Sequence, residues 1–394
     1  MNQFLIRANE IKEEIITNRR AIHQFGGVGC DLPETTAYVM ERLMEIGLEP
    51  KEICPSGVVA CVGGKKPGKT ILLRADMDAL PIEEKTGLDF ACTNGTMHAC
   101  GHDMHPAMLL GAARLLKERE DELQGTVKLM FQPGEEVLEG AKAMVEAGVL
   151  ENPHVDAAVA MHTNIARGDE CRTGYVTYVS GPSGSSADEL WVTLTREPED
   201  ENVNLVDVAS HMILSLKDIP SFEIRINETF GLMINAFVCD NDDPAGLADS
   251  VTFKGVMICM NNPVRDQAKE RIVTIVEEIA KAHHVKAKIH YERSVAPLVT
   301  SKELGDQINP AIEEVVGKGN VEEQPLGFLS FGAEDFAEVA KHVNGVYLNL
   351  GSGCPAEGYT VEGHKDNVMF NEDVLPIGAA IYANVALHWL RDQA

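Results

Sequence analysis

Three mostly apolar runs, each stopping at polar ligand chemistry, constrain this chain more than any other feature. Thr70-Ile71-Leu72-Leu73-Arg74-Ala75 is aliphatic and β-branched and reads as a buried strand, with Asp76 and Asp78 just past its end. Thr126-Val127-Lys128-Leu129-Met130-Phe131 reads the same way and runs into Gln132-Pro133-Gly134-Glu135-Glu136. Ala157-Ala158-Val159-Ala160-Met161 is the third run, and it ends at His162. Strands buried on both faces lose the alternation of a half-exposed sheet, because helices cover both of their sides. Open sheets of that kind place ligands outside the carboxyl ends of their strands. The pattern predicts an α/β layer with acids and a histidine at its strand ends.

The segment His98-Ala99-Cys100-Gly101-His102-Asp103-Met104-His105 adds to this chemistry. Cys100 and His102 flank a glycine, which lets the backbone turn so that both side chains can face one ion. Thiol, imidazole and carboxylate together suit Zn²⁺ or Mn²⁺. A structural zinc site would want Cys and His ligands in paired spacing, and the sequence has no second close pair. Adjacent carboxylates on a regular strand cannot face the same point. Glu135 and Glu136 are therefore expected to divide the work, one binding metal and one handling protons. Alone, that pair would read as an exposed acidic loop and His162 as a structural histidine. The recurrence of the pattern shifts both readings.

With 394 residues the chain is too long for one compact core and suits two domains. A formal charge of −27 argues against nucleic acid or an anionic membrane as partner and points to a cytoplasmic protein. Nine cysteines, an odd count with no signal-peptide core ahead of them, suggest reduced thiols. No apolar run reaches membrane-spanning length. Phe4 to Ile16 reads as one amphipathic helix. Helices and strands alternate up to about Thr177, and the cluster Ser180-Gly181-Pro182-Ser183-Gly184-Ser185-Ser186 marks a boundary. Beyond it, Glu189 to Thr195, Phe230 to Cys239, Val251 to Met260 and Val285 to Tyr291 read as strands. Val206 to Leu216 and Arg265 to Ala282 read as helices. Four strands and two helices make an α+β insert, after which the α/β pattern resumes near Pro297.

The order Asp-Met-Asp-Ala-Leu-Pro, His-Ala-Cys-Gly-His-Asp, Gln-Pro-Gly-Glu-Glu and Met-His resembles the binuclear-metal amidohydrolases. That family contains aminoacylases, hippurate hydrolases, indole-acetyl-amino-acid hydrolases and related carboxypeptidases. Ser330-Phe331-Gly332-Ala333-Glu334-Asp335-Phe336, and Gly363-His364 followed by Phe370-Asn371-Glu372-Asp373, resemble its closing motifs. The resemblance implies a mixed-sheet α/β/α catalytic domain, residues 1–179 and 294–394. It also implies an inserted ferredoxin-like α+β lid, residues 180–293, that makes a homodimer. It implies two divalent ions, Zn or Mn, held by Cys100, His102, Glu136, His162 and His364, with the Cys100 thiolate bridging or capping them. Glu135 would be the general base and Asp78 an acid that orients a ligand. Asp76, His105 and Glu334 would line the same region without a fixed role. His23 lies where the family has His-x-x-Pro-Glu, but here the proline and glutamate are displaced to Pro33-Glu34 behind the insert Gly26-Gly27-Val28-Gly29-Cys30.

Those residue types match amide hydrolysis, where water is a poor nucleophile and the amine a poor leaving group. A divalent ion lowers the pKa of water it binds from ~15.7 to about 7 and polarises the carbonyl. A glutamate beside it can shuttle the proton. The expected activity is hydrolysis of an N-acyl amino acid or a related small amide. A dipeptidase or carboxypeptidase, and a degenerate metal-binding dimer with little catalysis, are the alternatives. The insert is where the chain departs from the family. The family's Gly-Gly-His is replaced by Thr195-Arg196-Glu197-Pro198-Glu199-Asp200-Glu201-Asn202, its Asn-x-Ile-Pro-Asp by Ala245-Gly246-Leu247-Ala248-Asp249, and its arginine by Ile258. His211, His283 and His284 on the insert's helices read as surface or packing residues.

Overall fold

The structure is a computed structural model that describes residues 2–196, 202–243, 245–325 and 332–394. The chain divides into two compact units. Met1–Gly181, Val299–Leu329 and Glu338–Ala394 form unit 1, and Pro182–Leu298 with Ser330–Ala337 forms unit 2. The acidic run Glu197 to Glu201 and the pair Ser330-Phe331 lie outside the described residues.

In chain order, unit 1 begins with α1 (Gln3–Glu10), α2 (Lys12–Phe25) and α3 (Pro33–Glu45). Strands β1 (Lys51–Cys54), β2 (Gly57–Gly63) and β3 (Thr70–Asp76) follow, then α4 (Met104–Glu118) and β4 (Thr126–Gln132). Next come α5 (Gly140–Glu146), β5 (Ala157–Asn164) and β6 (Val176–Tyr178). The chain crosses to unit 2 through β7 (Gly181–Gly184). Unit 2 then runs β8 (Ala187–Arg196), α6 (Leu205–Lys217), β9 (Phe230–Cys239), β10 (Ser250–Cys259), α7 (Asn262–Ala282) and β11 (Val285–Val295). The return is β12 (Leu298–Thr300), followed by α8 (Lys302–Val316), β13 (Val321–Glu323), α9 (Ala337–Ala340), β14 (Asn344–Gly351) and α10 (Leu375–Asp392).

Unit 1 is built on an eight-stranded mixed sheet ordered β1-β2-β4-β3-β5-β14-β6-β13. Its centre is parallel: β3 pairs with β4 and β5, and β5 with β14. Every residue of β3 is buried, in keeping with its mostly apolar run. The period of two sorts the central strands into faces. Ile71, Leu73, Ala75, Val127, Leu129, Phe131, Ala157, Val159 and Met161 join one core with α4 and α10. Arg74, Asp76, Lys128, Gln132 and His162 have the opposite parity and serve the other face. Burying one aliphatic side chain such as Ile71 contributes about 1.5–3 kcal/mol.

Two local expectations change. The helix expected over Phe4 to Ile16 is two helices broken at Ile11, and Asn2 caps the first by accepting from the backbone of Phe4 and Leu5. The third strand does not stop at Met161. Pairing with β14 carries it through Asn349↔His162 to Asn164, so His162 lies within the strand. The helical stretch Glu372–Asp392 is long and apolar enough to cross a membrane by length and composition alone. Of its apolar window, 78% is buried within the protein, and α10 packs on α4, α8 and β3, which accounts for that apolarity.

Unit 2 is a four-stranded antiparallel sheet ordered β11-β8-β10-β9, with α6 and α7 packed on it. Counted along the chain the order is fourth, first, third, second, the ferredoxin-like arrangement of a βαββαβ unit. Leu190, Val192, Leu194, Phe253 and Met212 form its own core. Asp188 anchors α7 from beneath: its carboxylate takes two bonds of 2.8 Å from Arg265.

Candidate metal centre

The carboxyl ends of β3, β4 and β5 open on one edge of the sheet, and the chemistry-bearing loops leave from it. Gly134 allows the turn after β4. Its φ is +65°, and a Cβ there would lie 2.4 Å from the Cys30 sulfur. Gly101 does the same between Cys100 and His102, with φ +89° and the Thr163 hydroxyl 2.5 Å from where a Cβ would sit.

Cys100 is the shared member of the cluster. Its Sγ lies 3.3 Å from Nε2 of His162 and 3.2 Å from Nε2 of His364. Two ligand-like groups meet on it, Cys100–His102–His162 and Cys100–Glu136–His364. His364 is held in place by its backbone N–H, which donates to Ala99 O at 2.8 Å. His102 Nε2 stands 3.9 Å from Glu135 Oε2 and 4.0 Å from Glu136 Oε1. The two adjacent carboxylates therefore do reach one point, because they leave from a turn and not from a regular strand. Asp78 supports that turn: Glu135 N–H and Glu136 N–H donate to its two oxygens at 3.0 and 3.1 Å.

The electrostatics are those of a site built for cations. Both ring nitrogens of His102 and Oε1 of Glu136 are buried and make no well-aligned hydrogen bond among the described residues, and such groups are costly unless something fills them. Burial pushes the Cys100 thiol up to about 12. Burial alone would lower His102, but Asp76 and Cys100 outweigh it and raise it well above the usual histidine range. Burial, with His105 and His102 nearby, lowers His162 well below that range. Asp76 and His105 sit in the same cluster, bonded to each other.

His23 is elsewhere in unit 1, in a second buried network. Its Nδ1 is 2.8 Å from Asp103 and its Nε2 is 2.9 Å from Glu84, while Arg19 Nε donates to Asp103 at 2.6 Å. Burial opposes a charged His23, but Asp103 and Glu84 outweigh it and raise its pKa to about 9. The folded value exceeds the ordinary ~6.5, so the stability from this imidazolium is fully present below about pH 6.5 and is lost as pH rises through about 9. His23→Gln is expected to cost about 2–3 kcal/mol near pH 6 and much less near pH 10. Urea unfolding of both proteins across that range checks this, and an equal gap at every pH would contradict it.

His211 and His283 meet each other, ring centroids 6.0 Å apart, in unit 2. Glu334 is also in unit 2, buried, with its carboxylate accepting from Phe336 N at 2.8 Å. Arg19, Asp103, Gln132 and Thr163 emerge as supporting residues that the sequence did not mark. Arg19 and Asp103 meet only in the folded chain. Thr163 had one signal, its place directly after His162.

A mixed α/β sheet with thiol, imidazole and carboxylate groups converging at its strand ends, beside an orphaned buried imidazole, defines a metal-dependent amide hydrolase. The chain belongs to the peptidase family M20/M25/M40, whose model matches residues 72–388. Thermostable carboxypeptidase 1 of Saccharolobus solfataricus is 31% identical over 389 residues, 96% of each chain. An N-acetyl-L-cysteine deacetylase of Bacillus subtilis is 30% identical over 354 residues, 88% of this chain and 82% of its own. A solved Bacillus subtilis structure, a dinuclear metal binding peptidase of the M20 family, matches with a TM-score of 0.78 at 26% identity, over 97% of this chain and 99% of that one.

Proposed function

We propose that this protein hydrolyses the amide bond of an N-acyl amino acid or a related small amide at a two-metal centre. Cys100, His102, Glu136, His162 and His364 would hold the ions. The observation that carries this reading is the position of Cys100, shared by two ligand-like groups and in contact with two imidazoles. The orphaned nitrogens of His102 and the orphaned Oε1 of Glu136 fit the same purpose. Two divalent ions, zinc or manganese, supply polarisation of the carbonyl and a lowered water pKa when bound. Glu135 takes the proton from the attacking water and returns it to the leaving nitrogen. Asp78 holds the Glu135–Glu136 turn and faces His102 Nδ1 at 3.4 Å, so it orients both. The deacetylase among the relatives supports an N-acyl substrate, and the carboxypeptidase supports a peptide as the second reading. Metal-reconstituted protein assayed against N-acyl amino acids and dipeptides tests both. Loss of all turnover despite full metal would favour the degenerate reading.

The altered insert narrows the substrate. With Gly-Gly-His, Asn and Arg all replaced, the one cation in those stretches is Arg196, which is paired with Asp249, and the acidic sequence Glu197 to Glu201 disfavours a substrate carboxylate. Ile258 stands on β10 opposite Gly231 where the family has its arginine. The C-terminal amide of an N-acyl amino acid is therefore expected to show a higher kcat/KM than its free acid at matched metal loading. A preference for the free acid would overturn this.

The insert, 180–293, also serves as lid and dimerisation element in this reading. Strand β9 is a sheet edge with Met233, Phe237 and Val238 exposed, a liability unless a second copy covers it. Light scattering is expected to give a homodimer, and Phe237→Lys with Met233→Lys a monomer. The nine free cysteines, all without disulfides, favour a reducing cytoplasm.

A further inference from the structure

Asp76 and His105 are fully buried and, with His102, form another ligand-like group. Their hydrogen bonds argue for a different part. His105 Nε2 lies 3.0 Å from the backbone N of Thr163 and 3.1 Å from its hydroxyl. A backbone N–H can only donate, so Nε2 is the acceptor and the ring proton sits on Nδ1, donated to Asp76 Oδ1. Both nitrogens are thereby spent on the protein, whereas those of His102 make no well-aligned hydrogen bond among the described residues.

The chain of contacts extends at both ends. Asp76 Oδ2 accepts from Arg74 Nη1, and Arg74 Nε donates to Gln132 Oε1 at 2.8 Å. At the other end, Thr163 follows His162 on β5 and abuts Gly101, which lies between Cys100 and His102. The register supports the geometry: the β3–β5 ladder runs to Arg74↔Ala160, and Asp76 and His162 each lie two residues beyond its last pair. The His105 ring packs against both candidate ligand rings, with centroids 5.3 Å from His102 and 4.7 Å from His162, while those two stand 5.6 Å apart.

We propose that Arg74, Asp76 and His105 form a positioning relay that orients the imidazoles of His102 and His162 and holds no ion itself. This rests on the reading of Cys100, His102, Glu136, His162 and His364 as metal ligands. The relay ties β3, the first turn of α4 and β5 together at the point where the two imidazoles must aim. Supporting partners of metal-bound imidazoles are typically worth roughly 10–100-fold in metal affinity or activity.

The test uses the full chain with Zn²⁺ and Mn²⁺ as probes. His105→Phe keeps the ring but removes both hydrogen bonds, and His105→Asn restores a donor toward Asp76. Chelator competition is expected to show a roughly 10–100-fold weaker affinity for His105→Phe and partial recovery for His105→Asn. Stoichiometry at saturation stays at the wild-type value, and kcat falls while KM changes little. Loss of one metal equivalent at saturation would make His105 a ligand and overturn the relay. Wild-type affinity and kcat in His105→Phe would overturn it too. A wild-type protein that binds neither ion would instead overturn the proposed function. Should the variants not fold, ¹⁵N spectra of histidine-labelled wild type decide. One protonated and one bare ring nitrogen on His105, the same with and without Zn²⁺, support the relay. A Zn²⁺-dependent shift of Nε2 typical of coordination overturns it.

Discussion

Glu135→Gln is expected to lower kcat/KM by about 10²–10⁴-fold and to leave the metal content at the wild-type value. The amide is nearly isosteric with the carboxylate but cannot carry the proton. The turn should survive the change, because its two backbone N–H groups are held by Asp78 and not by the Glu135 side chain. The structure gives a reason for choosing Glu135 over its neighbour. Both carboxylates come within about the same distance of His102 Nε2, 3.9 and 4.0 Å, but Glu136 Oε1 also lies 3.8 Å from His364 Nε2. That supports the reading of Glu136 as a ligand and of Glu135 as the group that handles protons. Steady-state kinetics with elemental analysis of the same preparation checks the assignment. Metal lost together with activity would mean the two residues exchange roles.

Chelation is expected to abolish turnover and to lower the melting temperature by roughly 5–10 °C, with both restored by Zn²⁺ or Mn²⁺. A ligand present at about 1,000 times its Kd adds ~4 kcal/mol to the folded state. The destabilisation has a local cause. Without a cation, Glu136 Oε1 is buried with no hydrogen-bond partner among the described residues, and the groups facing the His102 nitrogens, Asp78 at 3.4 Å and Glu135 at 3.9 Å among them, are poorly placed to stand in for one. Differential scanning fluorimetry before and after chelation gives the answer. An unchanged melting temperature together with unchanged activity would show that the cluster holds no ion.

The strands of the site were legible because their runs are mostly apolar, interrupted by single cations at Arg74 and Lys128, and a strand buried on both faces leaves that mark in one dimension. The ferredoxin-like insert was legible for a related reason: β8 and β10 alternate buried and part-exposed residues along their length. Helix breaks and strand ends were less so. Nothing around Ile11 announces a break, and His162 stays in the strand only because β14, nearly two hundred residues later, pairs with it. The Arg19–Asp103–His23 network was invisible for the same reason, since its members are brought together by the packing of α2 on α4.

The sequence by itself determined the kind of chemistry, the strands that end in it and the alternation of elements around it. Those properties are local, set by side-chain type and by periods of two and 3.6 residues. The tertiary structure alone decided how the groups are arranged. It set Cys100 between His162 and His364, and let Glu135 and Glu136 both reach His102 from a glycine-bearing turn. It also spent both nitrogens of His105 on Asp76 and Thr163 while leaving those of His102 without a well-aligned hydrogen bond among the described residues. Which ring nitrogen is spent and which is left depends on donors arriving from distant strands, and no local pattern encodes their arrival.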